Sequence, residues 1–170
     1  MHNLTELYQE LILDHNARPR HFGTLAHKTH EALGHNPLCG DALTLALEIT
    51  ATHNGSNNKN HDNDIIKDIA FQGHGCAISK ASASLLCEKL KGMSVAEAKK
   101  LFELFHATLT QTSEQTTEQT NFSELGKLEA LVGVKQFPMR VKCATLAFHT
   151  FMAALHHATT PVSTETVQQP

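Results

Sequence analysis

Apolar residues recur at helical spacing at the start of the chain and throughout its second half. One stripe runs through residues 4–12, and Asn3 with Glu6 three residues later forms a capping box in front of it. A helix is therefore predicted at the N-terminus. Further stripes predict helices over about 77–91, from Ser94 to about 109, over 122–132 and after Pro138.

Strand signals lie between the first helix and the others. Residues 43–50 alternate strictly between apolar and polar or small side chains, which is typical of a half-buried strand. Residues 65–71 predict a second strand, antiparallel to the first. The stretch 20–38 is broken by glycines and a proline, and it predicts one short strand near 22–25. Strands followed by a run of helices predict an α+β fold, with a small antiparallel sheet of about three strands packed against helices.

A chain of 170 residues is expected to form one domain, which we place at 1–157. The polar segments 51–64 and 110–121 lack large apolar side chains and are predicted to be flexible loops. The tail 158–170 is rich in threonine and is predicted to be disordered.

Composition and charge exclude several classes of function. The chain carries 14 Lys+Arg and 17 Asp+Glu, a net charge of −3, and only 5% aromatic residues, which argues against a nucleic-acid surface. No apolar run is long enough to span a bilayer, and acidic residues in the first 15 positions do not fit a signal peptide. We therefore expect a cytoplasmic protein without a membrane or nucleic-acid partner, whose four cysteines are thiols or metal ligands.

Three of the cysteines fall at breaks between predicted elements. Cys39 lies in a turn before the first strong strand, Cys76 lies where a strand passes into a helix, and Cys143 lies in the first turns of the last helix. Asp41 follows Cys39 by two positions. Three thiolates and one carboxylate would suit tetrahedral Zn²⁺ or the edge of a cluster. The alternative is three unrelated buried thiols and an aspartate that caps a turn.

The fourth cysteine, Cys87, is a different case. It follows Cys76 by eleven positions, which returns it to nearly the same helix face but about 16 Å further along the axis. One metal ion cannot bridge that distance. Cys87 also falls on the apolar stripe and is predicted to be a small core residue. No complete dinucleotide loop, phosphate loop or hydrolase signature is present in the sequence.

Four segments resemble the U-type iron–sulfur cluster assembly proteins, a family that includes SufU, IscU and the N-terminal domain of NifU. They read LYQELILDHNARPRHFGTL at 7–25, NPLCGD at 36–41, DIAFQGHGCAISKASASLL at 68–86 and RVKCATLAF at 140–148. The resemblance is greater to SufU than to IscU. Lys142 stands where the IscU branch usually has histidine, Arg140 stands where SufU has arginine, and the stretch between Cys76 and Cys143 is long, as in SufU.

This resemblance implies a SufE/NifU-like fold and a metal held by Cys39, Asp41, Cys76 and Cys143. In the SufU branch the ion is typically Zn²⁺, and the first cysteine, here Cys39, accepts persulfide sulfur from a SufS-like cysteine desulfurase. The sulfur then passes to a downstream cluster scaffold or to apo-protein acceptors, so the protein is a candidate zinc-dependent sulfurtransferase.

Two alternatives stay open at this point. The same ligands could carry a nascent [2Fe–2S] cluster or Fe²⁺, as on a scaffold protein, or the zinc could be purely structural. Arg140 and Lys142 are candidates for a place beside the ligands or facing a partner, and His74 is a candidate for the same role or, as the favoured alternative, an ordinary surface histidine. The sequence does not predict the oligomeric state.

Overall fold

The computed structural model describes residues 3–52, 61–111 and 122–165. Helix α1 spans Leu4–Ala17, and Asn3 and Glu6 form the predicted capping box at its start. Helices α2, α3 and α4 span Ala77–Leu90, Val95–Thr110 and Pro138–Leu155. The strands are β1 His30–Asn36, β2 Asp41–Thr50, β3 Ile65–His74 and β4 Val162–Ser163. Short 3₁₀ segments lie at His61–Asn63, Phe122–Glu124 and Gly126–Gln136.

The four strands form one sheet in the order β3-β2-β1-β4. The pairs β1–β2 and β2–β3 are antiparallel, whereas β4 pairs with β1 in parallel. Helices α2 and α4 pack on the sheet, and α1 packs on α2. The α+β fold is thus confirmed, but the predicted antiparallel sheet of about three strands is in fact a mixed sheet of four, because the short C-terminal strand adds to its edge.

Strand β1 was not predicted, and the strand predicted near 22–25 is wrong. Phe22 makes an isolated bridge to Phe71 instead. The inward positions of β1 are Ala32, Gly34 and Asn36, which are small or polar and therefore give no hydrophobic alternation. Gly34 is required by the packing of α4, since a Cβ there would lie 2.0 Å from the Thr150 hydroxyl.

The predicted disorder of the tail 158–170 is wrong for its first part. Strand β4 pairs with Gly34 and His35 of β1, and the following Thr164 is buried. Polar side chains hold this segment, through a hydrogen bond from Thr164 to Asn36 and an ion pair between Glu165 and Lys142. A search for hydrophobic stripes does not detect such contacts. Residues 166–170 lie outside the described residues.

The two predicted loops also lie mostly outside the described residues, at 53–60 and 112–121. The end of the first one is ordered, contrary to the prediction: Asp64 accepts hydrogen bonds from the Thr52 backbone N–H at 3.2 Å and from the His61 ring at 2.8 Å. Thr110 belongs to helix α3. Within the described ranges, no helix is both long and apolar enough to cross a membrane.

Candidate metal centre

The β1–β2 turn brings Cys39 and Asp41 to one end of the sheet. Asn36, the last residue of β1, pairs with Asp41, the first residue of β2. Gly40 lies between the two candidate ligands with a φ of 70°, a conformation that glycine adopts without strain. The turn leaves Cys39 exposed to solvent while Asp41 points inward and is 1% exposed.

Cys76 and Cys143 reach the same place from two helices. Cys76 is the N-cap of α2, and its Sγ accepts a hydrogen bond from the Ser79 backbone N–H at 3.4 Å. Its own backbone N–H donates to Asp41 Oδ1 at 2.8 Å. Cys143 is buried in the second turn of α4, where its thiol donates to the Met139 carbonyl at 3.5 Å and lies close enough to the Cys76 thiol for each to shift the pKa of the other.

The ligand atoms of Cys39, Asp41 and Cys143 all lie within 4.8 Å of one another. Two sulfurs on one tetrahedral Zn²⁺ are about 3.8 Å apart, given Zn–S bonds of about 2.3 Å. A small side-chain adjustment would therefore bring the three groups onto one ion. Cys76 is outside this set of three but contacts it through Cys143. Three of the four predicted ligands, Cys39, Asp41 and Cys143, thus lie together at one end of the sheet, and the backbone of Cys76 adjoins them.

The charges at the site favour a cation. Hydrogen bonding to Cys143, aided by the backbone N–H groups of Ser79 and Ile78, lowers the pKa of Cys76 to about 6 against the effect of burial. The Cys76 hydrogen bond, burial and the nearby Cys39 and Asp41 raise the pKa of Cys143. The Cys76 thiol therefore loses its proton more readily than the Cys143 thiol. A divalent cation bound to both sulfurs would stabilise both thiolates.

Two glycines around His74 make room for this arrangement. A Cβ on Gly75 would lie 2.5 Å from Asp41 Oδ1, and one on Gly73 would lie 2.1 Å from the Ala42 carbonyl oxygen. The sequence Gly73-His74-Gly75 is therefore explained by the close approach of β3 to β2 and Asp41. The sequence alone did not predict this role, although two glycines directly before Cys76 were the available signal.

Comparison with known proteins identifies the family. The NifU-like N terminal domain family matches residues 7–144. The chain belongs to this family. It is 36% identical over 146 residues to the zinc-dependent sulfurtransferase SufU of Bacillus subtilis (strain 168), and the alignment covers 86% of this chain and 87% of that relative. It is also 37% identical over 152 residues to the iron–sulfur cluster assembly scaffold protein IscU of Streptococcus pyogenes serotype M1, with 89% and 84% covered.

A crystal structure from Fervidobacterium islandicum AW-1 has the same NifU-like fold. It is described as a putative iron–sulfur cluster assembly scaffold protein for the SUF system. The alignment has a TM-score of 0.67 and 27% identity, and it covers 90% of this chain and 99% of that chain. The predicted resemblance is thus confirmed at the level of the family. The similarity to both SufU and IscU leaves the choice between those two roles to the chemistry of the site.

The three remaining candidate residues of this NifU-like domain are not part of the set of three candidate ligands. His74 is exposed at the end of β3. Arg140 is exposed on α4, and its guanidinium carbon lies 4.6 Å from the centre of the Phe137 ring. Lys142 pairs with Glu165 at 2.5 Å. Cys87 is fully buried in the hydrophobic core, as its helix position predicts.

Proposed function

We propose that this protein is a sulfur acceptor in iron–sulfur cluster biogenesis that holds Zn²⁺ through Cys39, Asp41, Cys76 and Cys143. It would take persulfide sulfur from a cysteine desulfurase onto Cys39 and pass it to a cluster scaffold or to apo-proteins. One observation carries the proposal: Cys39 is an exposed thiol whose Sγ lies within 4.8 Å of the ligand atoms of two buried groups, Asp41 and Cys143. An acceptor needs this combination of access and a stabilised thiolate.

The transfer itself balances without an added oxidant or reductant. The Cys39 thiolate attacks the outer sulfur of the persulfide on the desulfurase cysteine. A new S–S bond forms at Cys39, the old S–S bond breaks, and its electron pair leaves with the desulfurase thiolate. The outer sulfur keeps its proton as it is transferred, so Cys39 ends as a persulfide.

The donor set of three sulfurs and one carboxylate fits Zn²⁺. When bound, the ion would keep Cys39 deprotonated at neutral pH. Asp41 is the harder ligand among soft ones, and the Cys76 backbone N–H fixes the direction of its carboxylate. Lys142 offers an ammonium group paired with Glu165 and no imidazole, which favours the acceptor over a scaffold that uses histidine at this position.

A second candidate function is a scaffold for a [2Fe–2S] cluster or Fe²⁺ on the same residues. Its specific support is the similarity to the scaffold protein IscU of Streptococcus pyogenes, 37% identity over 152 residues against 36% over 146 residues for SufU. A purely structural zinc is less well supported, since structural sites are usually closed sets of Cys and His, and here one donor is exposed and one is a carboxylate.

The first experiment is metal analysis and a visible spectrum of protein purified without oxygen. One equivalent of zinc and no colour is the expected result. Iron with sulfide-to-iron absorption bands would instead favour the scaffold.

The second experiment loads the protein with sulfur from a cysteine desulfurase and free cysteine, then locates the added sulfur by peptide mass spectrometry. We expect it on Cys39, and none on a folded Cys39→Ser variant. Full loading of that variant would refute the acceptor role of Cys39. If the Cys39→Ser protein instead binds no zinc and fails to fold, the result would favour a structural zinc ion.

A further inference from the structure

Asn36 connects the candidate ligands to the C-terminal segment. It is fully buried at the end of β1. Its side-chain Nδ2 donates to Asp41 Oδ2 at 3.2 Å and to Cys143 Sγ at 3.4 Å. Its Oδ1 accepts a hydrogen bond from the Thr164 hydroxyl at 3.1 Å. One amide therefore contacts two candidate ligands that come from different elements, a strand and a helix.

The chemistry of these partners fixes the direction of the amide. A carboxylate can only accept hydrogen bonds, and the Cys143 sulfur would only accept as a metal-bound thiolate, so the NH₂ group must face Asp41 and Cys143. The amide oxygen then faces Thr164, whose hydroxyl must donate. A reversed amide would place its oxygen against two electron-rich groups in a buried site, where an unpaired polar atom is costly.

Thr164 is itself held by the edge of the sheet. Strand β4 precedes it and pairs with Gly34 and His35, and the Thr164 backbone N–H donates to the His35 carbonyl at 3.1 Å. The next residue, Glu165, pairs with Lys142, the neighbour of Cys143 on α4. The segment thus binds the end of β1 and the start of α4 together at the site.

We propose that Asn36, oriented by Thr164, is a positioning residue that sets how firmly Asp41 and Cys143 hold a metal ion. Asp41 Oδ2 receives the Asn36 amide and Oδ1 receives the Cys76 N–H, so both oxygens are directed and each keeps a lone pair for the ion. Groups that orient metal ligands in this way typically change metal affinity 10–100-fold when removed. The C-terminal segment 162–165, none of whose residues is in the set of three candidate ligands, would therefore control release of the ion.

The inference rests on the metal site of the proposed function and is tested by metal affinity alone. Thr164→Val removes the hydroxyl at nearly constant shape, and Thr164→Ser restores it. Thr108→Val is the matched control, because Thr108 on α3 is equally buried (7% exposed against 6%) and its hydroxyl bonds to the Leu104 carbonyl, away from the site. Zinc affinity and the rate of zinc release are measured by competition with a chromophoric chelator, and folding by thermal unfolding.

Thr164→Val should weaken zinc binding about 10-fold and accelerate its release, while Thr164→Ser stays close to the parent. Asn36→Leu, which removes both donors, should have at least the same effect. Thr108→Val should lose a similar amount of thermal stability with zinc affinity unchanged. Equal zinc release from Thr164→Val and the parent, or equal weakening by Thr108→Val, would overturn the inference.

The two proposals fail separately in these measurements. If zinc affinity depends on Thr164 but the protein takes no sulfur from a desulfurase, the positioning role stands and the acceptor function falls. If Cys39 accepts sulfur and Thr164→Val binds zinc like the parent, the acceptor function stands and the positioning role falls.

Discussion

Helix α2 carries two cysteines in opposite environments. Cys76, at the N-cap, is partly exposed, accepts the Ser79 backbone N–H and hydrogen-bonds with Cys143, which lowers its pKa to about 6. Cys87, eleven residues later, is fully buried among apolar side chains, and burial raises its pKa far above the usual value. The two thiols thus differ through their positions along one helix.

The pKa of Cys76 is lowered mainly by the neighbouring Cys143 side chain, and further by the free hydrogen-bond donors at the start of the helix. The first N–H groups of a helix have no partner within it, so they stabilise a thiolate at the N-cap. In the middle of α2 every N–H is used by the helix itself, and a thiolate there would be desolvated without compensation. The same rule applies to Asp41, whose carboxylate accepts the Cys76 N–H just before α2 begins.

The largest expected effect is on thiol reactivity in protein stripped of metal by a chelator. At pH 7 iodoacetamide should alkylate Cys76 at least about 1,000-fold faster than Cys87, because only Cys76 is largely a thiolate and reachable. The Cys76 rate should rise with pH through about 6, where its thiol loses the proton. Peptide mass spectrometry over time measures both rates, and denatured protein is the control in which the two should converge. Similar rates in the folded protein would contradict the comparison.

Next in size is the effect of Cys76→Ser on zinc binding. Serine caps a helix well, so α2 should stay intact while a sulfur ligand is lost. We expect zinc affinity to fall at least about 100-fold, measured by chelator competition, with helix content by circular dichroism unchanged. Unaltered zinc affinity would mean that Cys76 contacts the set of three ligands without binding the ion.

A smaller effect is expected for Asp41→Ala. The change removes one candidate ligand and leaves the Cys76 N–H without an acceptor in a part-buried place. Zinc affinity should fall about 10–100-fold, at least as much as for Thr164→Val. Asp41→Asn is the control, since its amide oxygen can still accept from Cys76 but lacks the charge. Chelator kinetics identical to the parent for both variants would remove Asp41 from the site.

The parts of the fold that sequence reasoning found are those with a hydrophobic period. Helices α1 to α4 and strands β2 and β3 were predicted because their apolar residues repeat along the chain. Strand β1 was missed because Ala32, Gly34 and Asn36 occupy its inward positions. Strand β4 was missed for a related reason, since polar bonds from Thr164 and Glu165 hold it in place.

The candidate site divides in the same way. Its four candidate ligands could be named from the cysteines at the ends of predicted elements and from the family resemblance. Whether they come together in space depends on contacts between residues far apart in the sequence. Asn36 and Thr164 were not identified, because they are 128 positions apart and neither has ligand chemistry of its own. The asparagine that opens NPLCGD was the one signal available. In contrast, the core position of Cys87 follows from helix geometry alone, and its burial confirms that prediction.

The smallest effect on zinc binding and sulfur loading is expected at Cys87, the cysteine of α2 that packs in the core. Cys87→Ala removes a sulfur from a fully buried position and leaves a small cavity, so the free energy of unfolding should fall by about 1–2 kcal/mol in denaturant titrations. Zinc stoichiometry and sulfur loading should equal those of the parent, because Cys87 lies about 16 Å along the axis of α2 from Cys76. Cys87→Ser is the stricter control, since a buried hydroxyl without a partner should cost more stability with the metal still unaffected. Loss of one equivalent of zinc from either variant would contradict the division of α2 into a binding end and a packing interior.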